Sequence, residues 1–303
     1  MNSTLCFRNP FFAWMPFLVL IMFGCGGNQK QIEEIPQDER VVSKNTTLFN
    51  IDNKLFYMPN PVQTALLMKE IAAPFSKEIL NPTNKIEKYN TSFKQAVNIG
   101  VYGADLGYIT ANNQNQEALS HLGAVKKLSD ELGVSSSFNF GELEKFGNNA
   151  GNQQEMLGII TTAYKGCEEF LRKDGRHDIA GLIMAGALVE SLYFAVHFAS
   201  MKNNQDVINR IGEQMRSIDN IILILNPHYS KTDAPEFSDF VDKLVDLQTQ
   251  FQVVKFNYTF KESTVDEGKK LCTVNCATVI EMSDMVLKTI TDKIKSIRES
   301  ITS

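Results

Sequence analysis

Glu190 and His197 stand seven residues apart in Asp178 to Met201, the most apolar stretch beyond the N-terminus, so a helix there puts a carboxylate and an imidazole on roughly one face, two turns apart. A carboxylate inside an apolar helix titrates high unless it is paired, which is the environment a general acid or base needs. Asp105 sits likewise between Gly103 and Gly107 in a second small-residue helix. If the two helices pack together, Asp105, Tyr102, Tyr108, Glu190, Tyr193 and His197 converge on one polar pocket. That pocket is the candidate ligand-binding or acid–base site. The competing reading is that helix ends or tyrosine hydroxyls satisfy Asp105 and Glu190, and that both serve structure, as buried charges usually do.

Other chemistry is less well supported by residue types. Of the remaining histidines, His121 and His228 read as exposed or loop-borne, and Asp174 with His177 straddles a turn. No His-Glu-x-x-His, no paired Glu-x-x-His, no Gly-x-Ser-x-Gly elbow and no phosphate-binding glycine loop occurs, so neither a metal nor a cofactor is expected. Cys272 and Cys276, if carried on one strand over Leu271 to Ile280, have Cα atoms about 13 Å apart, too far for a disulfide without a bend at Asn275. Together with Cys167, on the inward face of a helix, they read as buried inert thiols.

Helices must position these groups. Asn60 caps a first helix entered through Pro61 and stopped near Pro74. The next, about Thr91 to Asn112, carries Ala96, Gly100, Gly103, Ala104 and Gly107 at spacings of three and four. Each interior glycine costs about 1 kcal/mol against alanine, so the stripe predicts close approach of a neighbouring helix backbone. Further helices are expected over Glu117 to Leu132, near Gly141 to Phe146, and over Asn152 to Arg172, Asp178 to Met201, Asn203 to Leu225 and Pro235 to Val254. The helix over Asp178 to Met201 is apolar nearly all round and belongs inside a bundle. Phe256, Tyr258 and Phe260 alternate, Asp266-Glu267-Gly268 reads as a turn, and the β-branched run after it completes a small hairpin. Ser283 caps a last helix in which Leu287, Ile290, Ile294, Ile297 and Ile301 form a seam that docks on the body.

The composition of the 303 residues, 43% hydrophobic and 21% charged, is that of a globular chain, and a net charge of -5 gives no footprint for nucleic acid. Residues 1–24 hold Arg8 and the apolar run Phe11 to Phe23, the length of a signal-peptide core and short of a membrane span. Met22-Phe23-Gly24-Cys25-Gly26-Gly27 resembles the lipobox of bacterial lipoproteins, which implies cleavage before Cys25 and acylation of its thiol. Losing Arg8 takes the net charge from -5 to -6 and removes the single tryptophan. Residues 25–50 are polar and read as a flexible tether, leaving 51–303 as a single domain.

Asn60-Pro61-Val62-Gln63-Thr64, Ala73-Pro74-Phe75-Ser76-Lys77-Glu78-Ile79-Leu80-Asn81-Pro82, Gly100-Val101-Tyr102-Gly103-Ala104-Asp105-Leu106-Gly107-Tyr108 and Ala185-Gly186-Ala187-Leu188-Val189-Glu190-Ser191-Leu192-Tyr193 resemble segments of a family of bacterial lipoproteins of unassigned function. The resemblance implies an envelope location, a membrane attachment through lipidated Cys25 and a helical body, and it transfers no catalytic residue. The expected fold is mostly α, an antiparallel helix bundle or short α-solenoid with a small C-terminal β-hairpin. The expected function is an anchored, non-catalytic scaffold or binding module with a protein partner in the envelope. The alternative is a small-ligand binder or enzyme built on Asp105, Glu190 and His197.

Overall fold

A computed structural model describes residues 46–51, 54–59, 61–71, 74–138, 140, 153–201, 204–229, 235–266, 268, 271–273 and 275–303. The signal peptide, Cys25, the tether up to residue 45, the short helix expected near Gly141 to Phe146 and the side chain of Cys167 lie outside the described residues.

The fold is mostly α with small antiparallel hairpins. Strands β1 (Thr46–Ile51) and β2 (Lys54–Pro59) pair with Phe49 opposite Phe56, so strand pairing begins inside the stretch read as tether. Helices follow as α1 (Pro61–Glu70), α2 (Ser92–Ala111), α3 (Asn115–Glu131), α4 (Gln153–Lys173) and α5 (His177–Met201). Then come α6 (Gln205–Glu213), α7 (Met215–Leu225) and α8 (Pro235–Phe251). A two-storey β-ribbon, β3 (Lys255–Thr259) with β6 (Ala277–Glu281) and β4 (Thr264–Asp266) with β5 (Leu271–Thr273), leads to the C-terminal helix α9 (Asp284–Thr302).

The expected Asn203 to Leu225 helix is divided at Gln214. Its backbone N–H donates to Ile211 O (3.2 Å), a tighter turn than the helix, and its side-chain amide donates to Arg210 O (3.3 Å), in competition with the helical ladder.

Helix α5 is the axis of the body and packs against α2, α9, α7, α1, α6 and α4. Within His177–Ser200 its most apolar 18-residue window has a mean hydropathy of 1.9, enough by length and composition to cross a membrane, but 94% of that window is buried in the protein. The glycine stripe explains how α2 reaches it. A Cβ on Gly100 would lie 2.0 Å from the Ile183 carbonyl oxygen, and one on Gly186 of α5 would lie 1.9 Å from the Val97 carbonyl oxygen. Each helix therefore brings its glycine onto the other's backbone, and the two axes come closer than any side-chain layer would allow. Thr91 caps α2 by accepting from the Lys94 N–H, and α2 is buried continuously from Ala96 to Ala111.

Candidate functional site

Close packing of α2 on α5 sets Asp105 against Glu190. Both carboxylates are wholly buried, and they are near enough for the Glu190 charge to act on Asp105. Arg298, from α9, closes the third side. Its Nε and one Nη each donate to a Glu190 oxygen at 2.8 Å, the same terminal nitrogen donates to the Ile79 carbonyl (2.8 Å), and the guanidinium lies flat on the Tyr193 ring, 4.1 Å from its centre. This bidentate fork is the geometry that best matches a planar cation to a carboxylate.

The fourth member is His121 of α3. It is 1% exposed, not loop-borne as its sequence context suggests, and its Nε2 lies 3.8 Å from Asp105 Oδ2. Its Nδ1 lies 3.0 Å from the Glu117 carbonyl; a carbonyl only accepts, so Nδ1 carries the proton and Nε2 presents a lone pair toward Asp105. The Tyr102 ring meets the imidazole edge-on at 5.8 Å, and the Tyr102 hydroxyl donates to the Pro82 carbonyl (3.0 Å).

Electrostatics assigns the protons. Burial, then the neighbouring Glu190 charge, hold the Asp105 carboxyl well above the usual carboxylate range, against Arg298 and the Asn81 N–H, which donates to Oδ2 (3.1 Å). Oδ1 has no donor facing it. A proton on Asp105 relieves the clash of two buried anions. Burial works against the guanidinium charge, but Glu190 and Asp105 outweigh it and keep Arg298 above its ordinary value. Burial pushes His121 below the ordinary imidazole value, so it is neutral. The cluster is thus a protonated acid, a carboxylate, a guanidinium and a neutral imidazole.

A second polar layer joins this cluster to the end of α9. Asn98 Nδ2 donates to the Ile301 carbonyl (2.7 Å), and the Tyr89 hydroxyl (3.2 Å) and Lys85 Nζ (3.0 Å) both reach the Thr302 carbonyl. These are carbonyls the helix itself leaves without partners. Asn81 bridges the layers, its backbone on Asp105 and its Nδ2 on Tyr89 (3.1 Å) and Asn98 (3.2 Å).

No family model, curated protein or solved structure matches this chain. Its site is therefore judged on geometry alone.

Of the residues singled out from the sequence, Asp105, Glu190, Tyr102 and Tyr193 come together, and His197 does not join them. His197 packs edge-on against Phe198 at 5.1 Å and beside Tyr193, and makes no hydrogen bond or ion pair with either acid. Burial and Lys295 lower its pKa. Seven residues along one face are about 10 Å along the axis, which puts His197 away from the acids and at the height where Tyr108 of α2 packs on Phe194 (4.8 Å) and Phe198 (6.2 Å). Tyr108 is also elsewhere, its hydroxyl accepting from the Ser76 N–H (3.1 Å).

His121 and Arg298 are the members sequence reasoning missed. Both had a periodic signal: His121 is three after Ala118 and four before Val125, and Arg298 is four after Ile294 and three before Ile301, so each lies on its helix's inward stripe.

Chemically the cluster can hold and pass a proton internally. Where a metal would have to bind Glu190, the Arg298 guanidinium already supplies the positive charge, and among the described residues no group of three or more His, Cys, Asp or Glu is arranged to hold a metal. Nor do the larger surface grooves reach the acids. One, about 450 Å³, lies at the ribbon's base around Ile208, Val253, Val279 and Val286, and another, about 360 Å³, lies between α8 and α9 around Asp246, Lys293 and Ile297.

The thiols read as buried are not. Cys272 is exposed and Cys276 half-exposed, both unbridged. The strand expected over Leu271 to Ile280 is instead two strands, β5 and β6, and at Asn275 between them Nδ2 donates to the Glu262 carbonyl and the Thr264 hydroxyl, both at 2.7 Å.

Proposed function

We propose that this protein is an envelope-anchored, non-catalytic helical scaffold or binding module, held to a membrane through a lipidated Cys25. One observation carries the non-catalytic part: the two acids best placed for chemistry are wholly buried, Glu190 held by the Arg298 fork and Asp105 by the Asn81 N–H. The cluster acts as a bolt. It fixes α9 across α2 and α5, and so fixes the β-ribbon that leads into α9. With both carboxylates wholly buried and neither of the two grooves named above reaching them, the reading of a small-ligand pocket around Asp105, Glu190 and His197 loses its support. Binding then falls to the outer surface.

The anchor rests on the lipobox-like Met22-Phe23-Gly24-Cys25 and the apolar run before it. Its test is expression of the full chain in a bacterium fed labelled palmitate, beside Cys25→Ala. The expected result is label in the membrane fraction for the native chain and neither label nor membrane retention for the variant; equal labelling of both would refute the anchor.

A further inference from the structure

The two edges of the β3–β6 ribbon are treated differently. Along β6, the Ile280 N–H donates to Asn209 Oδ1 (2.9 Å) and the Ile280 carbonyl accepts from Gln205 Nε2 (2.8 Å), so α6 covers that edge. These bonds also fix the ladder. Since Ile280 spends its backbone groups outward, its pair with Phe256 is a non-hydrogen-bonded one, and the alternation of an antiparallel ladder makes Phe256 and Tyr258 aim their N–H and C=O away from β6. Among the described residues no hydrogen bond reaches those backbone groups from elsewhere in the chain. The β3 edge is open, and its side chains are apolar and exposed: Tyr258 is 63% and Phe260 71% exposed. Soluble proteins block such edges with charge, proline or cover, and β3 has Lys255 alone.

We propose that the open β3 edge pairs antiparallel with β3 of a second copy of this chain, about a two-fold axis through Asn257, to give a four-stranded sheet β6–β3–β3–β6. The sequence of the strand is what selects a second copy. Outward-facing residues can exchange hydrogen bonds only with outward-facing residues, and of the registers this allows the one that overlaps the whole of β3 sets Phe256 against Tyr258 of the second copy, and Tyr258 against its Phe256. Both are aromatic cross-strand pairs, the favourable kind. In the same register Lys255 meets Thr259, with no like charges opposed, and exposed Phe260 falls beside position 254, next to Val253, itself 62% exposed. A strand of five residues makes a small interface, so the association is weak, at the low end of specific contacts.

The register is tested directly by cysteine cross-linking in the full chain carrying Cys272→Ser and Cys276→Ser. Asn257→Cys would face its own copy in a non-hydrogen-bonded pair with Cα atoms about 4.5 Å apart, within disulfide reach. Val279→Cys would lie about 14 Å from its copy, three strands away. Expected on oxidation at about 100 μM, a concentration suited to a weak dimer, is a covalent dimer from the first and none above background from the second. Tyr258→Pro removes an outward N–H and leaves the β6 ladder intact. By symmetry two bonds are lost, and sedimentation equilibrium should show dimer dissociation rising about tenfold or more. A native chain monomeric at that concentration, equal cross-linking at both positions, or a dimer indifferent to Tyr258→Pro would each overturn the proposal; should the proline variant misfold, the cross-linking comparison decides alone.

Discussion

Replacing Arg298 by Met should be among the most damaging single changes in this protein. Glu190 is wholly buried and the Arg298 side chain only 14% exposed, so the pair belongs to the buried class and not to the surface class, where ion pairs contribute about 0–1 kcal/mol. Arg298→Met removes two hydrogen bonds from Glu190, one from the Ile79 carbonyl and the cation over Tyr193. It leaves a buried carboxylate beside Asp105, and the expected cost is about 3–5 kcal/mol. Against a total stability of about 5–15 kcal/mol for an ordinary domain, that brings the fold near its limit. The double variant Glu190→Leu with Arg298→Met removes both charges and keeps the volume filled, so most of the loss should return. Urea unfolding followed by far-UV circular dichroism on the native chain, both single variants and the double variant gives the coupling between them. Additive losses, or an Arg298→Met cost below about 1 kcal/mol, would refute the view that this pair holds α9.

Three further predictions follow from the same geometry. Asp105, with its pKa raised, keeps in the folded state a proton the unfolded chain releases, so its contribution is complete below about pH 4 and is lost as pH rises toward the raised value. His121, with its pKa lowered, contributes fully above about pH 6.5 and loses that contribution as pH falls. Melting temperatures across pH 4–9 should therefore lose their fall with rising pH in Asp105→Asn and lose their fall on acidification below about pH 6.5 in His121→Gln, with unchanged profiles counting against the proton assignment.

Gly100→Ala and Gly186→Ala drive a methyl into the facing backbone and should destabilise by about 1–3 kcal/mol or more, whereas Gly123→Ala, with open space around its Cβ, should gain about 0.5–1 kcal/mol; thermal melts separate the two groups. The Tyr258 hydroxyl beside Cys276, which can donate to the thiolate, lowers that thiol's pKa, so the pH profile for iodoacetamide alkylation of Cys276 should move up in Tyr258→Phe, and an unmoved profile would discard the contact.

Much of this was legible in the sequence because it was periodic. The glycines at three- and four-residue spacing announced the α2–α5 approach, and two carboxylates on helices of that kind had to meet. The start of α9 followed from Ser283 as its cap. What was not legible was long-range. Arg298 reaches Glu190 across 108 residues, and nothing local says which of many surface arginines and lysines turns inward, though its place between Ile294 and Ile301 was the clue. The Glu190–His197 spacing misled because it fixes a shared face but leaves two turns between the groups, and at the height of His197 the neighbouring helix offers the apolar contacts of Tyr108 with Phe194 and Phe198 rather than a carboxylate. The strand at Thr46–Ile51 was hidden in a polar stretch whose pairing depends on Lys54–Pro59.

Native-state hydrogen exchange along α9 is the measurement that tests the bolt most directly. If the cluster fixes this helix, the amides of Ile290, Ile294, Ile297 and Ile301 exchange in the native chain only through global unfolding. In Arg298→Met they exchange by a local opening that leaves α2 and α5 protected, and protection returns in the Glu190→Leu/Arg298→Met chain. If α9 stays as protected in Arg298→Met as α2 and α5 do, the cluster is not what holds it, and the acids must be explained by a function of their own.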